Sequence, residues 1–279
     1  MSGFWRRFAT NRGAVAGCVV FALVLAMAAF APWIAPGDPW SMAGPPRTDA
    51  FDPEHWLGTD MLGRDVWATI VHGARVSLLV GGGATLAAVL IGVSIGAVAG
   101  YLGGIADDLL MRFTEFFQSI PSFILALLIV AIFQPTVGSI VVAVAIVSWP
   151  PVARVVRAEF MSLRSREFVQ AAVVLGQGTW TIVLRQILPN ALSPIVVLSS
   201  FMVATAILLE AALSFLGLGD PNVMSWGFMI GSGRSTIRIA WWTSVFPGIA
   251  LFLTVLSLNL IGEGISDALN PRLHDRGAA

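Results

Sequence analysis

Long apolar stretches alternate with short polar ones along almost the whole chain. A helix needs about 20 predominantly apolar residues to cross the hydrocarbon of a bilayer. Six stretches reach that length. The first covers Ala14–Ala35, with Pro32 and Pro36 marking its exit. The second covers Val76–Leu102, inside an uncharged run from Val76 to Ala106. The third starts after Asp107 and Asp108 and reaches Phe133; Gln134, Pro135 and Thr136 separate it from the fourth, Gly138–Arg157. The fifth covers Leu192–Gly217 and the sixth Thr243–Ile265. The pattern predicts an all-α polytopic membrane protein with six transmembrane helices.

Two polar interruptions carry more sequence than a connecting turn needs. One precedes the second span and includes His55-Trp56-Leu57-Gly58-Thr59-Asp60-Met61-Leu62-Gly63-Arg64-Asp65. The other, residues 167–190, contains Gln170-Ala171-Ala172-Val173-Val174-Leu175-Gly176 and then Ile187-Leu188-Pro189-Asn190. Glycine reaches φ > 0 and weakens helices, and proline lacks the N–H that a helix interior uses. The second island therefore predicts two short helical pieces hinged at Gly176 and closed by Pro189. It sits between spans, at a membrane surface, and is large enough to be a docking element.

Arginine placement predicts the orientation. With the N-terminus inside, Arg6, Arg7, Arg12, Arg112, Arg154, Arg157, Arg164, Arg166, Arg185, Arg272 and Arg276 are cytoplasmic, eleven in all, against five outside: Arg47, Arg64, Arg75, Arg234 and Arg238. Both termini and the 167–190 island are then expected in the cytoplasm. Arg6, Arg7 and Arg12 before an apolar run imitate a signal peptide, but the uncharged run is long enough to span, so a retained first helix is expected.

Composition agrees: 57% of residues are hydrophobic and 11% charged, whereas a soluble domain is about a quarter charged. The formal net charge is zero, which gives no electrostatic case for nucleic acid. All 16 basic residues are arginine. Without lysine there is no P-loop and no Schiff-base chemistry. Cys18 is the only cysteine, so no disulfide forms within the chain and no zinc-type cysteine cluster exists. His55, His72 and His274 are separated and placed outside the core, without metal-ligand spacing, so no metal site is expected.

Several residues inside the spans are candidates for more than packing. Gly92, Gly96 and Gly100 recur every four residues and form a smooth helix face for close approach, within the chain or against a partner. Trp149-Pro150-Pro151 interrupts the fourth span, and Ile120-Pro121-Ser122 does the same to the third; both are candidate kinks. Glu210 is the deep carboxylate, between Leu208-Leu209 and Ala211-Ala212. Such a group faces a cavity or a partner, and a structural or gating role is expected ahead of substrate contact. Asp60, Arg64 and Asp65 read first as a turn-stabilising charge cluster. Trp33, Trp40, Trp56, Trp226, Trp241 and Trp242 read as an interfacial belt.

The 167–190 island resembles the "EAA" loop of ABC importer permeases, through Ala171, Ala172, Gly176, Ile187 and Pro189. Gln170 stands where that motif opens with glutamate. Two further segments, His55–Asp65 with its continuation Gly73-Ala74-Arg75, and Leu213-Ser214-Phe215-Leu216-Gly217-Leu218-Gly219 followed by Ser225-Trp226-Gly227, look like the second permease of the dipeptide/oligopeptide/nickel branch. The resemblance runs over nearly the whole chain. It implies a type I importer architecture: a tail, first helix and external loop in 1–75, a five-helix core in 76–271, and a cytoplasmic tail in 272–279. It further implies a bacterial inner membrane, a homologous second permease, two ATPase subunits that hold ATP and magnesium, and an external substrate-binding protein. The chain itself is then not an enzyme and has no cofactor. Its coupling loop would use Gln170, Ala171, Ala172, Leu175, Gly176, Trp180, Ile187 and Pro189, with Ala171, Ala172, Leu175, Trp180 and Ile187 giving apolar contact. Peptides are the expected cargo, with nickel or another small solute as the alternative. An ion-coupled carrier using Glu210 is the competing class; those folds show internal repeats, and none is evident here. A third class, an intramembrane enzyme, lacks paired catalytic groups on the spans.

Overall fold

A computed structural model describes residues 2–269; the expected 272–279 tail, with Arg272, His274 and Arg276, lies outside the described residues. The chain is nearly all helix. In order, the helices are α1 Ser2–Thr10, α2 Arg12–Ala29, α3 Ala31–Ile34, α4 Val66–Leu102, α5 Gly104–Ser119, α6 Ser122–Phe133 and α7 Val137–Arg164. They continue as α8 Glu167–Val174, α9 Thr179–Thr181, α10 Leu188–Leu213, α11 Trp226–Gly233 and α12 Trp242–Leu269. Five of the described helical segments are long and apolar enough to cross a membrane, and a sixth crossing exists if α5 and α6 count as one span.

The six expected spans appear with three corrections. The third is not one helix: α5 and α6 meet at an 83° bend. Pro121 offers no N–H there, and Ile120 is extended. The fourth is not interrupted at Trp149-Pro150-Pro151; α7 runs through both prolines. Trp149, Val152 and Ala153 are buried in one apolar cluster with Ala88 of α4, so packing holds the segment where the hydrogen-bond ladder is thinned. The second begins ten residues early, at Val66, because the Asp65 carboxylate accepts from Ala68 N–H and caps α4.

Contacts fix the directions of the helices. Cβ atoms added at Gly92, Gly96 and Gly100 of α4 would meet Val152, Ala153 and Arg157 of α7 in the same order, so these two helices run parallel. The glycine stripe therefore packs within the chain. Ser77 and Gly81 of α4 face Glu210 and Ile207 of α10, an antiparallel pair. Asn11, which caps α2, donates to Asp267 near the end of α12 at 3.1 Å. Both described chain ends thus share one end of the bundle with α8. The opposite end carries residues 36–65 and α11.

At that opposite end the residues of the expected charge cluster pair locally. Arg64 Nε donates to Asp60 at 2.5 Å, and His55 lies 3.1 Å from the second oxygen of Asp65. His55 is buried rather than outside the core. Trp226 and Trp242 also leave the expected belt. They are buried, with indole N–H groups donating to the carbonyls of Ile70 and Thr59 at 3.0 Å. A buried indole needs a partner for its N–H, and each found a loop or helix-end carbonyl.

Candidate functional site: an elbow, a cavity and a buried carboxylate

The end of the bundle that carries α8 bears an elbow. α8 closes in a Schellman motif: Gln177 N–H donates to Ala172 O and Gly176 N–H to Val173 O. Gly176 occupies the left-handed position at φ +73°, with open space around its missing Cβ. Gln170 Nε2 donates to Arg164 O at 3.0 Å, tying α8 to the end of α7. An ionised glutamate has no proton to give this bond.

The elbow has two faces. Val169, Ala172, Ile182, Val183 and Ile187 are buried in the cluster that holds Trp149, Val156 and Phe160. The outer face carries Val174 at 86%, Leu175 at 78% and Trp180 at 72% exposure. Ala171 is exposed as well. Of the apolar contacts expected from the sequence, Ala172 and Ile187 are therefore turned inward, into the permease's own core. Val174, which was not expected, is the most exposed of the apolar tip. The helical period carried the signal: Ala172 shares its side of α8 with Val169, three residues back.

Pro189 does not close the loop, contrary to expectation. A π-helical turn, Ile182–Ile187, leads directly into α10, and Leu188 N–H reaches back to Val183 O. The wider turn leaves the helix continuous, with Pro189 at its first turn, where a missing N–H costs little.

A cavity of about 670 Å³ lies where α5 bends into α6. Phe117, Pro121, Val147, Pro151, Arg154 and Phe201 are among its walls. Pro151 faces it, whereas Pro150 is buried. Glu210 does not line it. Its carboxylate is 1% exposed and accepts from Ser214 Oγ at 2.7 Å, with Ser77 Oγ at 3.5 Å. Ser77 Oγ in turn accepts from the backbone N–H of Trp226 at 3.4 Å. Glu210 thus joins α10, α4 and the start of α11. Sequence reading found the carboxylate but not its partners: Ser77 lies far away in the chain, whereas Ser214 sits one helical turn on and its i, i+4 spacing was the available signal.

The comparisons agree with this architecture. Residues 92–275 match the family of binding-protein-dependent transport system inner membrane components, and residues 1–51 match the N-terminal transmembrane domain of oligopeptide transport permease C. The chain belongs to that family of inner-membrane transport components. The di/tripeptide transport system permease protein DppC of Pseudomonas aeruginosa is 39% identical over 277 residues, 97% of this chain and 91% of the relative. The glutathione transport system permease protein GsiD of Pectobacterium atrosepticum is 40% identical over 272 residues, covering 97% and 90%. Among solved structures, the inward-facing MetNI methionine ABC transporter matches with a TM-score of 0.55 at 18% identity, over 71% of this chain and 96% of that one. An amino acid ABC transporter with histidines matches with the same score at 19% identity, covering 71% and 92%. At such identities the structural likeness shows the fold.

Proposed function

We propose that this chain is one of two permease subunits of an ATP-driven importer that moves peptides handed over by an external substrate-binding protein. The observation that carries the reading is its similarity, over 97% of its length, to permeases named for di/tripeptide and glutathione transport. The eleven-to-five arginine bias supports an elbow on the cytoplasmic side of the membrane, where the ATPase subunits would dock. ATP and magnesium bind there, on the partners, and this chain performs no chemistry.

The elbow supplies the mechanical link. Its outer tip, Val174, Leu175 and Trp180, fits an apolar groove on a partner. Its inner face is continuous with the α4/α7 core. Closely packed interiors do not deform gradually, so a displacement at the tip moves α7 and the cavity wall that Pro151 forms. The cavity at the α5/α6 bend is this chain's half of the translocation path. Glu210 acts as a structural tie beside that path.

A single cysteine at Leu175, in a Cys18→Ala background, tests the docking. Thiol cross-linking in the assembled complex should join it to the ATPase subunit. A cysteine at the lipid-side position Leu86 should not. Equal cross-linking at both, or none at Leu175 in a complex that copurifies with its ATPase, contradicts the assignment of the elbow.

A further inference from the structure

The cavity at the α5/α6 bend has a one-sided charge. Among the described residues that line it, Arg154 alone is charged; Gln118, Ser122, Ser148 and Thr205 are its neutral polar groups. Four of the lining residues, Val147, Ser148, Pro151 and Arg154, fall at i, i+1, i+4 and i+7 on α7, so one stripe of that helix faces the space. Arg154 lies about 15 Å inside the α8 end of α7, ten residues at roughly 1.5 Å each. Its side chain is exposed in this chain, so the guanidinium is accessible to an anion that enters the space.

The neighbouring arginine shows the contrast. Arg157, one turn on, is held by both oxygens of Asp107 at 2.5 Å. Arg154 makes no salt bridge among the described residues. It also lines a second, polar cavity shared with Asp108, Arg112, Glu115 and the Asp107-paired Arg157. Arg154 therefore borders a chamber with no carboxylate and a vestibule in which Asp108 and Glu115 stand beside Arg112 and Arg157.

We propose that Arg154 is a carboxylate-binding site that takes the C-terminal carboxylate of a peptide in transit. The inference rests on the peptide-importer reading. A guanidinium offers a rigid fork of N–H donors that matches a carboxylate, and every unmodified peptide carries one at its C-terminus. Gln118, Ser122 and Ser148 provide hydrogen bonds of the kind that peptide amides accept and donate. A transport site must also release its cargo, so binding there has to be weak or contested. Asp108 and Glu115 lie on the vestibule side and compete for the same guanidinium as the peptide leaves.

The test uses the whole complex in proteoliposomes, with its binding protein, and one peptide made with a free C-terminal carboxylate or a C-terminal amide. Initial uptake rates are compared as the acid-to-amide ratio, in which the binding protein's own preference is common to all variants and cancels. Arg154→Gln should lower that ratio about tenfold or more, the scale of a charge-assisted hydrogen bond. Arg154→Lys should recover part of it. Equilibrium binding of both peptides to the complex in nanodiscs, without binding protein, should show the same selective loss. An unchanged ratio overturns the site, whether both rates fall together or neither does. Rates that shift together with the content of anionic lipid assign the guanidinium to lipid phosphate instead and also overturn it. A wild-type complex that imports no peptide at all refutes the peptide-importer reading itself.

Discussion

Replacing Gly96 with alanine probes the close-packed seam between α4 and α7. A Cβ at this position would lie 2.4 Å from Ala153 O and 2.8 Å from Val156 Cβ. Ordinary contact starts near 3.4 Å, so the helices must part by about 1 Å. Both atoms belong to a helix that cannot rotate them away. Overpacking of this kind costs about 1–3 kcal/mol, and a radial gap of that size forfeits a quarter to a half of the dispersion well for nearby pairs. Alanine returns about 1 kcal/mol through helix propensity. Gly82 is the internal control: it lies on the same helix, and an added Cβ there meets nothing within 4 Å. Gly82→Ala should be neutral or stabilising; the propensity gain is common to both, so the two variants should differ by the overpacking cost of about 1–3 kcal/mol, a factor of roughly 5 or more in the folding equilibrium. Reversible unfolding in mixed micelles, followed by tryptophan fluorescence, measures this difference. Equal stabilities for Gly96→Ala and Gly82→Ala would refute the close α4/α7 seam.

Three further outcomes are expected. Gly176→Val forces a β-branched residue to φ +73°, a strain of about 1–2 kcal/mol, so substrate-stimulated ATP hydrolysis and uptake should fall while membrane insertion persists. Glu210→Gln keeps an oxygen for Ser214 and an amide for Ser77 Oγ and should retain near-normal uptake, whereas Glu210→Lys should cost on the order of 3 kcal/mol and deplete folded complex on size exclusion. Asp107→Ala leaves Arg157 unpaired and should destabilise by about 2 kcal/mol in thermal unfolding, with the double variant Asp107→Ala/Arg157→Ala recovering more than half, because removing one partner strands the other's charge.

The spans were legible because hydropathy reports burial in lipid directly. The glycine stripe was legible because its four-residue period puts Gly92, Gly96 and Gly100 on one face. Gly176 announced its own turn, since the left-handed position favours the residue without a Cβ. Local chemistry misled at the prolines. Pro150, Pro151 and Pro189 each read as helix breakers, yet α7 passes through the first two and a π-helical turn carries the chain into the third. Pro121 does bend a span, where an extended Ile120 precedes it. What the sequence left hidden depends on contacts between distant residues. Ser77 meets Glu210, Asp107 meets Arg157, and the cavity wall draws on α5, α6, α7 and α10. The belt assignment of Trp226 and Trp242 failed for the same reason, because carbonyls far along the chain, Ile70 in α4 and Thr59 in the loop before it, accept their indole protons.

The central claim is that this chain moves cargo only as part of an ATP-driven complex. Uptake of a labelled dipeptide into proteoliposomes tests it, with ATP and the proton gradient varied independently and the purified chain measured alone beside the full complex. The account predicts uptake by the full complex that follows ATP, needs the binding protein and ignores the gradient, with no uptake by the chain alone. Gradient-driven uptake by the chain alone, in the absence of ATP, would contradict it.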